Sequence, residues 1–358
     1  MIYFIDMKKS ARTFLPFLCL ILMLATSCSR EMYTAGMDKA QKTEFESIAA
    51  TLEKSTDYEK NYINMMQVYS FLDTKEDPQL LSVFLIDYVD SHPDDPFNAF
   101  YLFTVAQRYK EQNATPFAHY YFSRILHSYS DVSYQGESIH FLCIKEILSN
   151  TQDTDEKIEC YKELINRFSD QINPGEIYFY LGDCYGAAGQ WDMAAQSYKK
   201  FLSYPEATVP GNLFAREYAS DFESYYNTRV TWSYASLDEL ISKVSAAMRT
   251  RRSSEINKYT SKVKFFMSSW EEQEESQEAL AVNNIGSFIN SSTRINRELD
   301  KISNAQEAYL KTTGWGFRMN TWYFYFRKIN FPANPEIHGN WEWAGIYLGD
   351  RVFSRSNE

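Results

Sequence analysis

The stretch that decides the fold is residues 178–205, which read YFYLGDCYGAAGQWDMAAQSYKKFLSYP. Large apolar residues recur in it at the spacing of a helix face, and Gly189 separates two such runs. Gly182 lies in the first run and Ala194 in the second, where a small side chain lets two helices approach closely. The stretch therefore predicts two packed helices whose groove is filled by Tyr178, Leu181, Tyr185 and Tyr198.

This pattern resembles the tetratricopeptide repeat, a helix–turn–helix unit of about 34 residues. Three positions depart from it: Tyr178 stands for the usual Trp, Phe201 for a usual Ala, and Pro205 comes one place early. The resemblance implies an α-solenoid, in which each repeat packs on its neighbours.

Three earlier segments repeat the same template, 37, 76 and 113 residues before it. The segment 76 residues earlier keeps the small pair, as Ala106 and Ala118. The segment 37 residues earlier has Lys145 and Lys157 there, and the first segment also lacks small residues. We therefore predict four repeats, each closing on an apolar pair: Tyr88-Val89, Ile125-Leu126, Leu164-Ile165 and Phe201-Leu202.

The N-terminus predicts export. Basic residues precede an apolar run over residues 14–25, which has the length of a signal-peptide core and is short for a spanning helix of about 20 residues. Residues 24–28 (Leu-Ala-Thr-Ser-Cys) resemble the bacterial lipobox, with Ala25 where that pattern usually has Leu. The resemblance implies a lipoprotein signal peptide over residues 1–27 and a lipidated Cys28. Two alternatives stay open: a start at Met7 instead of Met1, and an unmodified Cys28.

Composition excludes several classes of protein. The 358 residues are 44% hydrophobic and 23% charged, which suits packed cores and argues against a disordered chain. The formal net charge of −11 would repel a nucleic acid, so we predict no nucleic-acid partner.

The chain divides into segments of different character. We predict the lipidated Cys and a polar tether over residues 28–57, and a repeat solenoid over residues 58–229. The solenoid ends in a capping helix, because aromatic residues recur at helical spacing as Phe214, Tyr218, Phe222 and Tyr225.

Residues 230–358 predict a small α+β domain with an antiparallel sheet. Because the longer segment before it is a helical solenoid, the predicted fold class of the chain is mainly α. Residues 236–239 (Ser-Leu-Asp-Glu) have the form of a helix capping box. Val263 and Phe265 alternate as in a short strand. Residues 320–329 alternate Trp322, Phe324 and Phe326 with Tyr323, Tyr325 and Arg327, and another strand is indicated by Trp341, Trp343 and Tyr347.

No motif for catalysis or metal binding stands out, so we predict no enzyme, no cofactor and no metal. His140 and Cys143 lie three residues apart on one helix, which favours a pair in the repeat core. Five glutamates within residues 271–278 favour a solvated connection, and Arg249, Arg251 and Arg252 favour a helix C-terminus.

The repeat geometry predicts the binding surface. In solenoids that this chain resembles, template positions 2, 5, 9 and 12 of each first helix point into the concave groove. Positions 2 and 5 are apolar except for Glu176, and the predicted partner-binding residues are Ile63, Met66, Phe100, Phe103, Ile139, Leu142 and Phe179. Such a groove favours a helix or an apolar segment of a protein partner, or packing against the chain's own C-terminal domain.

These features predict a membrane-anchored lipoprotein of the bacterial envelope, facing the periplasm or at the outer membrane, that acts as a non-enzymatic scaffold in an assembly or transport complex. Long repeats on a lipoprotein resemble the BamD-like assembly lipoproteins. The alternative is an envelope receptor that binds a small or glycan ligand through its aromatic C-terminal domain, since 12 aromatic residues fall between Trp315 and Phe353.

Overall fold

The computed structural model of the chain describes residues 31–350 apart from residues 74–76, 78, 229–230, 271–283 and 318. The predicted signal peptide, both starts and the lipidation site Cys28 lie outside the described residues. The chain divides into two compact units, residues 1–164 and 165–358. The second unit therefore holds the last predicted repeat together with everything that follows it.

The helices of all four predicted repeats are present. They are α2 (Tyr58–Leu72) and α3 (Gln79–Ser91), α4 (Asn98–Glu111) and α5 (Thr115–Ser128), α6 (Ile139–Asn150) and α7 (Thr154–Arg167), and α8 (Pro174–Ala187) and α9 (Trp191–Leu202). The predicted capping helix is also present, as α10 (Ala215–Asn227).

The fourth repeat shows why its sequence forms two close helices. Asn173 caps α8 by accepting a hydrogen bond from the Glu176 amide. A Cβ on Gly182 would lie 2.5 Å from the Tyr198 ring, so only glycine fits at this contact. Gly189 ends the first helix in the left-handed region, at φ +70°, which glycine adopts without a steric penalty.

One further helix, α1 (Lys39–Leu52), occupies part of the segment that was predicted to be a tether. Asp38 caps it in a reciprocal capping box with Gln41. Phe45, Ile48 and Leu52 are buried, because their spacing of three and four residues puts them on one face of the helix. The tether prediction is therefore wrong for these residues.

The C-terminal part is α+β, so the predicted fold class is confirmed. It contains α11 (Leu237–Thr250), α12 (Ser253–Ile256) and a five-stranded sheet. The strands are β3 (Phe266–Ser269), β4 (Arg294–Ile295), β5 (Glu307–Thr313), β6 (Thr321–Lys328) and β7 (Trp341–Leu348). Their order in the sheet is β3-β7-β6-β5-β4. The sheet is mixed instead of purely antiparallel, because β3 pairs in parallel with β7.

The two faces of the sheet follow the predicted alternation. Trp322, Phe324 and Phe326 lie in the core with Leu240 and Val244 of α11. The opposite face carries Tyr325, which packs near Tyr309, Tyr347 and Phe266. The strand predicted around residues 263–265 begins later, at Phe266, because Lys264 has a left-handed backbone at φ +56°.

Among the described residues, no helix combines the length and the apolar character that crossing a membrane requires.

Candidate functional site

The predicted groove residues of the first unit differ in exposure. Ile63 is 60% exposed, and Met66, Phe100 and Leu142 are partly buried. Phe103 and Ile139, by contrast, are only 5% and 0% exposed. These two side chains therefore belong to the core of the first unit and offer no accessible surface to a partner.

A small hairpin accounts for the burial of Phe103. The hairpin consists of β1 (Ser133–Tyr134) and β2 (Glu137–Ser138), and its turn residues Gln135 and Gly136 both have positive φ, at 52° and 87°. The Tyr134 ring lies 5.8 Å from the Phe103 ring and 5.7 Å from the Phe100 ring, between centroids. The chain thus covers this part of the predicted groove with its own residue.

Phe179 in the second unit is also buried, at 2% exposure. Its ring packs against Tyr198 and Phe201 of α9, at 5.7 and 5.2 Å, and against Tyr218 of the capping helix at 6.3 Å. The capping helix therefore closes position 5 of the last repeat.

Two other groove positions of the last repeat line an open cleft. Positions 9 and 12 of α8 are Asp183 and Gly186, and both face a cleft of about 750 Å³ within the second unit. The cleft lies between α8, α9 and α10 on one side and the C-terminal sheet domain on the other. Its aromatic lining consists of Trp191, Tyr198, Tyr218, Phe222, Tyr225 and Phe331.

Gly186 opens the cleft beside Trp191. A Cβ at this position would meet only the Trp191 ring, at 3.9 Å, which is an ordinary contact. Gly186 therefore differs from Gly182, where the Tyr198 ring fills the space. A larger side chain at position 186 would project into the cleft without displacing the packed helices.

Asp183 contributes an acidic group to the cleft. Its carboxylate accepts a hydrogen bond of 2.7 Å from the Tyr198 hydroxyl and forms no ion pair with any other described residue. Desolvation raises the pKa of Asp183 above its ordinary value, although the Tyr198 hydrogen bond opposes the shift. Water reaches the carboxylate from the cleft, while protein atoms on its other sides desolvate it partly. Both are expected for a group on a cleft wall.

Lys264 lies across the cleft and is neutralised by the capping helix. Its ammonium pairs with Glu217 and lies 3.5 Å from an oxygen of Asp221. Burial raises the pKa of Asp221, and Lys264 opposes that shift. These ion pairs connect the capping helix to the chain segment that leads into β3.

A second cation, Arg327, is held in a buried network. Its Nε donates to Glu342 Oε1 at 2.6 Å, and the Tyr225 hydroxyl donates to the same oxygen at 3.0 Å. Glu342 is fully buried, so an unpaired charge there would be costly. Burial alone would lower the pKa of Arg327, but the charge of Glu342 raises it.

Aromatic packing also fixes the capping helix to the sheet domain. Phe331 lies 4.9 Å from Phe222 and 5.4 Å from Tyr225, between ring centroids. Asn334 Nδ2 donates to the Tyr225 carbonyl at 3.1 Å. The cleft walls are thus joined by apolar, polar and ionic contacts, which gives the cleft a defined shape.

The cleft is equipped for binding. It combines aromatic surface with the carboxylate of Asp183, which has no ion-pair partner among the described residues, whereas Lys264 and Arg327 are already neutralised. The described residues contain no cluster that could hold a metal ion. In the first unit, His140 and Cys143 are buried, and burial raises the pKa of the Cys143 thiol, which keeps it protonated.

Sequence reasoning missed the residues that line the open cleft. Asp183 and Gly186 occupy template positions 9 and 12, so extending the template to these positions would have found them. Lys264 and Arg327 carried no such signal, because only the folded chain brings residues 264 and 327 beside α10.

Comparison with known proteins supports the repeat. Residues 176–207 match the tetratricopeptide repeat family, whose repeats generally mediate protein–protein interactions. The chain matches no curated protein and no solved structure. The chain therefore contains a tetratricopeptide repeat, and the open cleft lies on the groove positions of that repeat.

Proposed function

We propose, from the tetratricopeptide repeat that the chain contains, that this protein is a non-enzymatic scaffold that binds a polypeptide partner. In this proposal the protein is lipid-anchored in the bacterial envelope and serves an assembly or transport complex. The repeat supports the scaffold role, and the N-terminal sequence pattern supports the anchor.

The observation that carries the binding proposal is the open cleft at Asp183 and Gly186. Its aromatic lining suits apolar side chains of a partner, which supply most of the binding energy in such sites. Asp183 has no cationic partner among the described residues, so it suits a basic side chain or an amide donor of the partner. A segment of polypeptide offers both kinds of group.

A substitution that fills the cleft tests this proposal. Gly186→Phe places a large side chain in the cleft, and Gly186→Ala is the matched control because its Cβ is tolerated. Purified protein is cross-linked to envelope extract, and captured proteins are identified by mass spectrometry. We expect Gly186→Phe to lose a stoichiometric partner that wild type and Gly186→Ala retain. Equal capture by all three proteins, with Gly186→Phe folded, would contradict the proposed cleft site.

The anchor requires a separate test. Cys28→Ala should release the protein from the membrane fraction and abolish labelling by a fatty acyl probe. A variant that remains in the membrane with unchanged labelling would refute the lipid anchor, while the cleft proposal would be unaffected.

A receptor for a small or glycan ligand is the second candidate, and one observation favours it. Trp270 stacks on Tyr347 at 4.3 Å on the sheet face opposite α11, and Tyr309 lies 5.7 Å from Trp270. All three rings are partly exposed, as a sugar-stacking surface requires. A thermal shift with glycans that is lost in Trp270→Ala would support the receptor, and an unchanged melting temperature with every glycan would argue against it.

A further inference from the structure

The C-terminal domain contains a second pocket, which is basic. Its volume is about 550 Å³, and it lies between α11 and the segment that leads into β4. Four arginines line it: Arg249, Arg251, Arg294 and Arg297. The sequence places them in two separate clusters, and the fold brings the two clusters to one pocket.

The described residues do not compensate the charge of this pocket. None of the four arginines forms an ion pair with another described residue, and no acidic side chain is among the described residues that line the pocket. Glu298 follows Arg297 in sequence but does not line it. Four positive charges in one concavity are unusual on a chain whose formal net charge is −11, and their mutual repulsion falls when an anion binds.

The helix dipole does not account for the cluster. A helix C-terminus carries about half a negative charge, which favours one or two cations in its last turn. Arg249 and Arg251 are at that end of α11, but Arg294 and Arg297 come from the strand segment. The helix end therefore accounts for at most two of the four positive charges, and it does not explain Arg294 and Arg297.

Close backbone contacts hold both walls of the pocket in place. A Cβ on Gly286 would lie 2.8 Å from the Arg251 carbonyl oxygen, so the chain beside Arg251 packs directly on this glycine. Gly314 has φ +80°, and a Cβ there would lie 2.1 Å from the Ser292 carbonyl oxygen. The segments that carry Arg251 and Arg294 are thus fixed before any ligand binds, which lowers the entropic cost of binding.

Arg294 is oriented by the protein and retains donors. Its Nη1 donates to the carbonyl oxygens of Ser291 and Thr293, at 2.7 and 2.9 Å. Its Nε and Nη2 donate to no other described residue, so they remain for a ligand. A guanidinium held in this way offers parallel N–H groups, the geometry that binds phosphate oxygens in pairs.

We propose that this pocket binds a phosphate group, either free or on a ligand such as a lipid headgroup. A phosphate monoester carries close to two negative charges at pH 7 and three acceptor oxygens, which suits several guanidinium groups. A carboxylate carries one charge and neutralises the pocket less completely. Neutral polar groups on Asn296 and Ser245 also line the pocket, together with apolar side chains such as Met248 and Ile295.

Calorimetric titration of the full chain, in a neutral detergent, with inorganic phosphate tests the proposal. Arg249→Gln combined with Arg297→Gln replaces two arginines whose side chains form no hydrogen bond with a described residue, so the fold should persist. We expect this pair to weaken phosphate binding by roughly tenfold or more. Arg252→Gln is the matched control, because Arg252 is exposed at the same corner but does not line the pocket. It should change binding by less than about twofold.

A second variant and a second probe make the test decisive. Arg249→Lys combined with Arg297→Lys keeps the charge and loses the paired N–H geometry, so it should fold and bind phosphate with intermediate affinity. Phosphatidylcholine vesicles with and without phosphatidic acid distinguish the sources of phosphate. Binding that requires both phosphatidic acid and the arginines indicates a lipid headgroup, and binding to inorganic phosphate alone indicates a free ligand.

Three results would overturn the proposal. The first is that wild type binds neither probe. The second is that the glutamine pair binds phosphate as well as wild type does. The third is that Arg252→Gln loses as much phosphate binding as the glutamine pair.

Discussion

Two repeats of this chain match the same template but differ in whether their groove is accessible. In the repeat of α4 and α5, position 5 is Phe103, which lies beneath Tyr134 of the hairpin. In the repeat of α8 and α9, position 5 is Phe179, which is also buried, but the neighbouring positions line an open cleft. The groove of one repeat is occupied by the chain itself, and the groove of the other is accessible.

The difference arises in the segments that follow each repeat and in positions 9 and 12. The segment after α5 forms the hairpin over residues 133–138, whereas the segment after α9 leads into a capping helix that leaves part of the groove open. Positions 9 and 12 are Gln107 and Lys110 in the first case, and Lys110 pairs with Glu146 at 2.6 Å. In the second case they are Asp183 and Gly186. A repeat template therefore predicts which face is the groove, and the connecting segments decide whether that face is open.

The largest expected effect is the loss of stability when a charged residue replaces the phenylalanine at position 5. Phe103→Glu and Phe179→Glu each place a carboxylate in the core without a partner. We expect each substitution to lower the free energy of unfolding by about 3–5 kcal/mol, measured by thermal or denaturant unfolding of the full chain.

Ile63→Glu is the matched control, because Ile63 is a predicted groove residue that is 60% exposed. It should change the free energy of unfolding by less than about 0.5 kcal/mol. A Phe179→Glu variant as stable as wild type would mean that the capping helix does not enclose position 5 of the last repeat. A Phe103→Glu variant as stable as wild type would mean that the first groove is not closed, and the contrast between the two repeats would fail.

The helices were predictable because their signals are local. Gly182, Gly189 and Ala194 are explained by close packing and by a turn, so the fourth repeat could be read from 28 consecutive residues. The alternation of β6 was likewise visible in its own sequence. The parallel β3 was not, because pairing between Phe266 and Gly345 joins residues that are distant in the chain.

The site was less predictable than the fold. Phe103 and Phe179 carry the apolar character of groove residues, and the same character makes them core residues once Tyr134 or Tyr218 covers them. The sequence can distinguish a groove residue from a core residue only if the position of the segment that covers it can also be predicted. Residues 133–138 and 264 belong to connections between the larger helices and strands, and the positions of these connections depend on tertiary packing.

The second effect concerns the hairpin. Tyr134→Ala removes the ring that covers Phe100 and Phe103, and we expect a loss of about 1–2 kcal/mol in unfolding free energy. Binding of a hydrophobic dye should increase, because two aromatic side chains become accessible. Tyr120→Ala is the control: Tyr120 is 57% exposed and contacts neither of these residues, so stability should change by less than about 0.5 kcal/mol. Unchanged dye binding in Tyr134→Ala would show that the hairpin does not close the groove.

The smallest effect is a pH dependence that belongs to the open cleft alone, since position 9 of the closed repeat is the neutral Gln107. Desolvation raises the pKa of Asp183 above its ordinary value of 3.8, against the opposing Tyr198 hydrogen bond. The folded state therefore holds this proton to a higher pH than the unfolded state does, and the contribution of Asp183 to stability declines as the pH rises from 3.8 through the raised pKa. Asp183→Asn removes that decline and keeps an acceptor for Tyr198.

The unfolding free energy of Asp183→Asn minus that of wild type should therefore increase with pH across this window and level off above it. The increase should stay below about 1 kcal/mol, because solvent reaches the carboxylate. Tyr198→Phe sharpens the test: it removes the hydrogen bond that lowers the pKa, so in that background the window should extend to higher pH. A difference that is constant with pH would mean that the cleft does not desolvate Asp183, and that position 9 lies on an ordinary solvated surface.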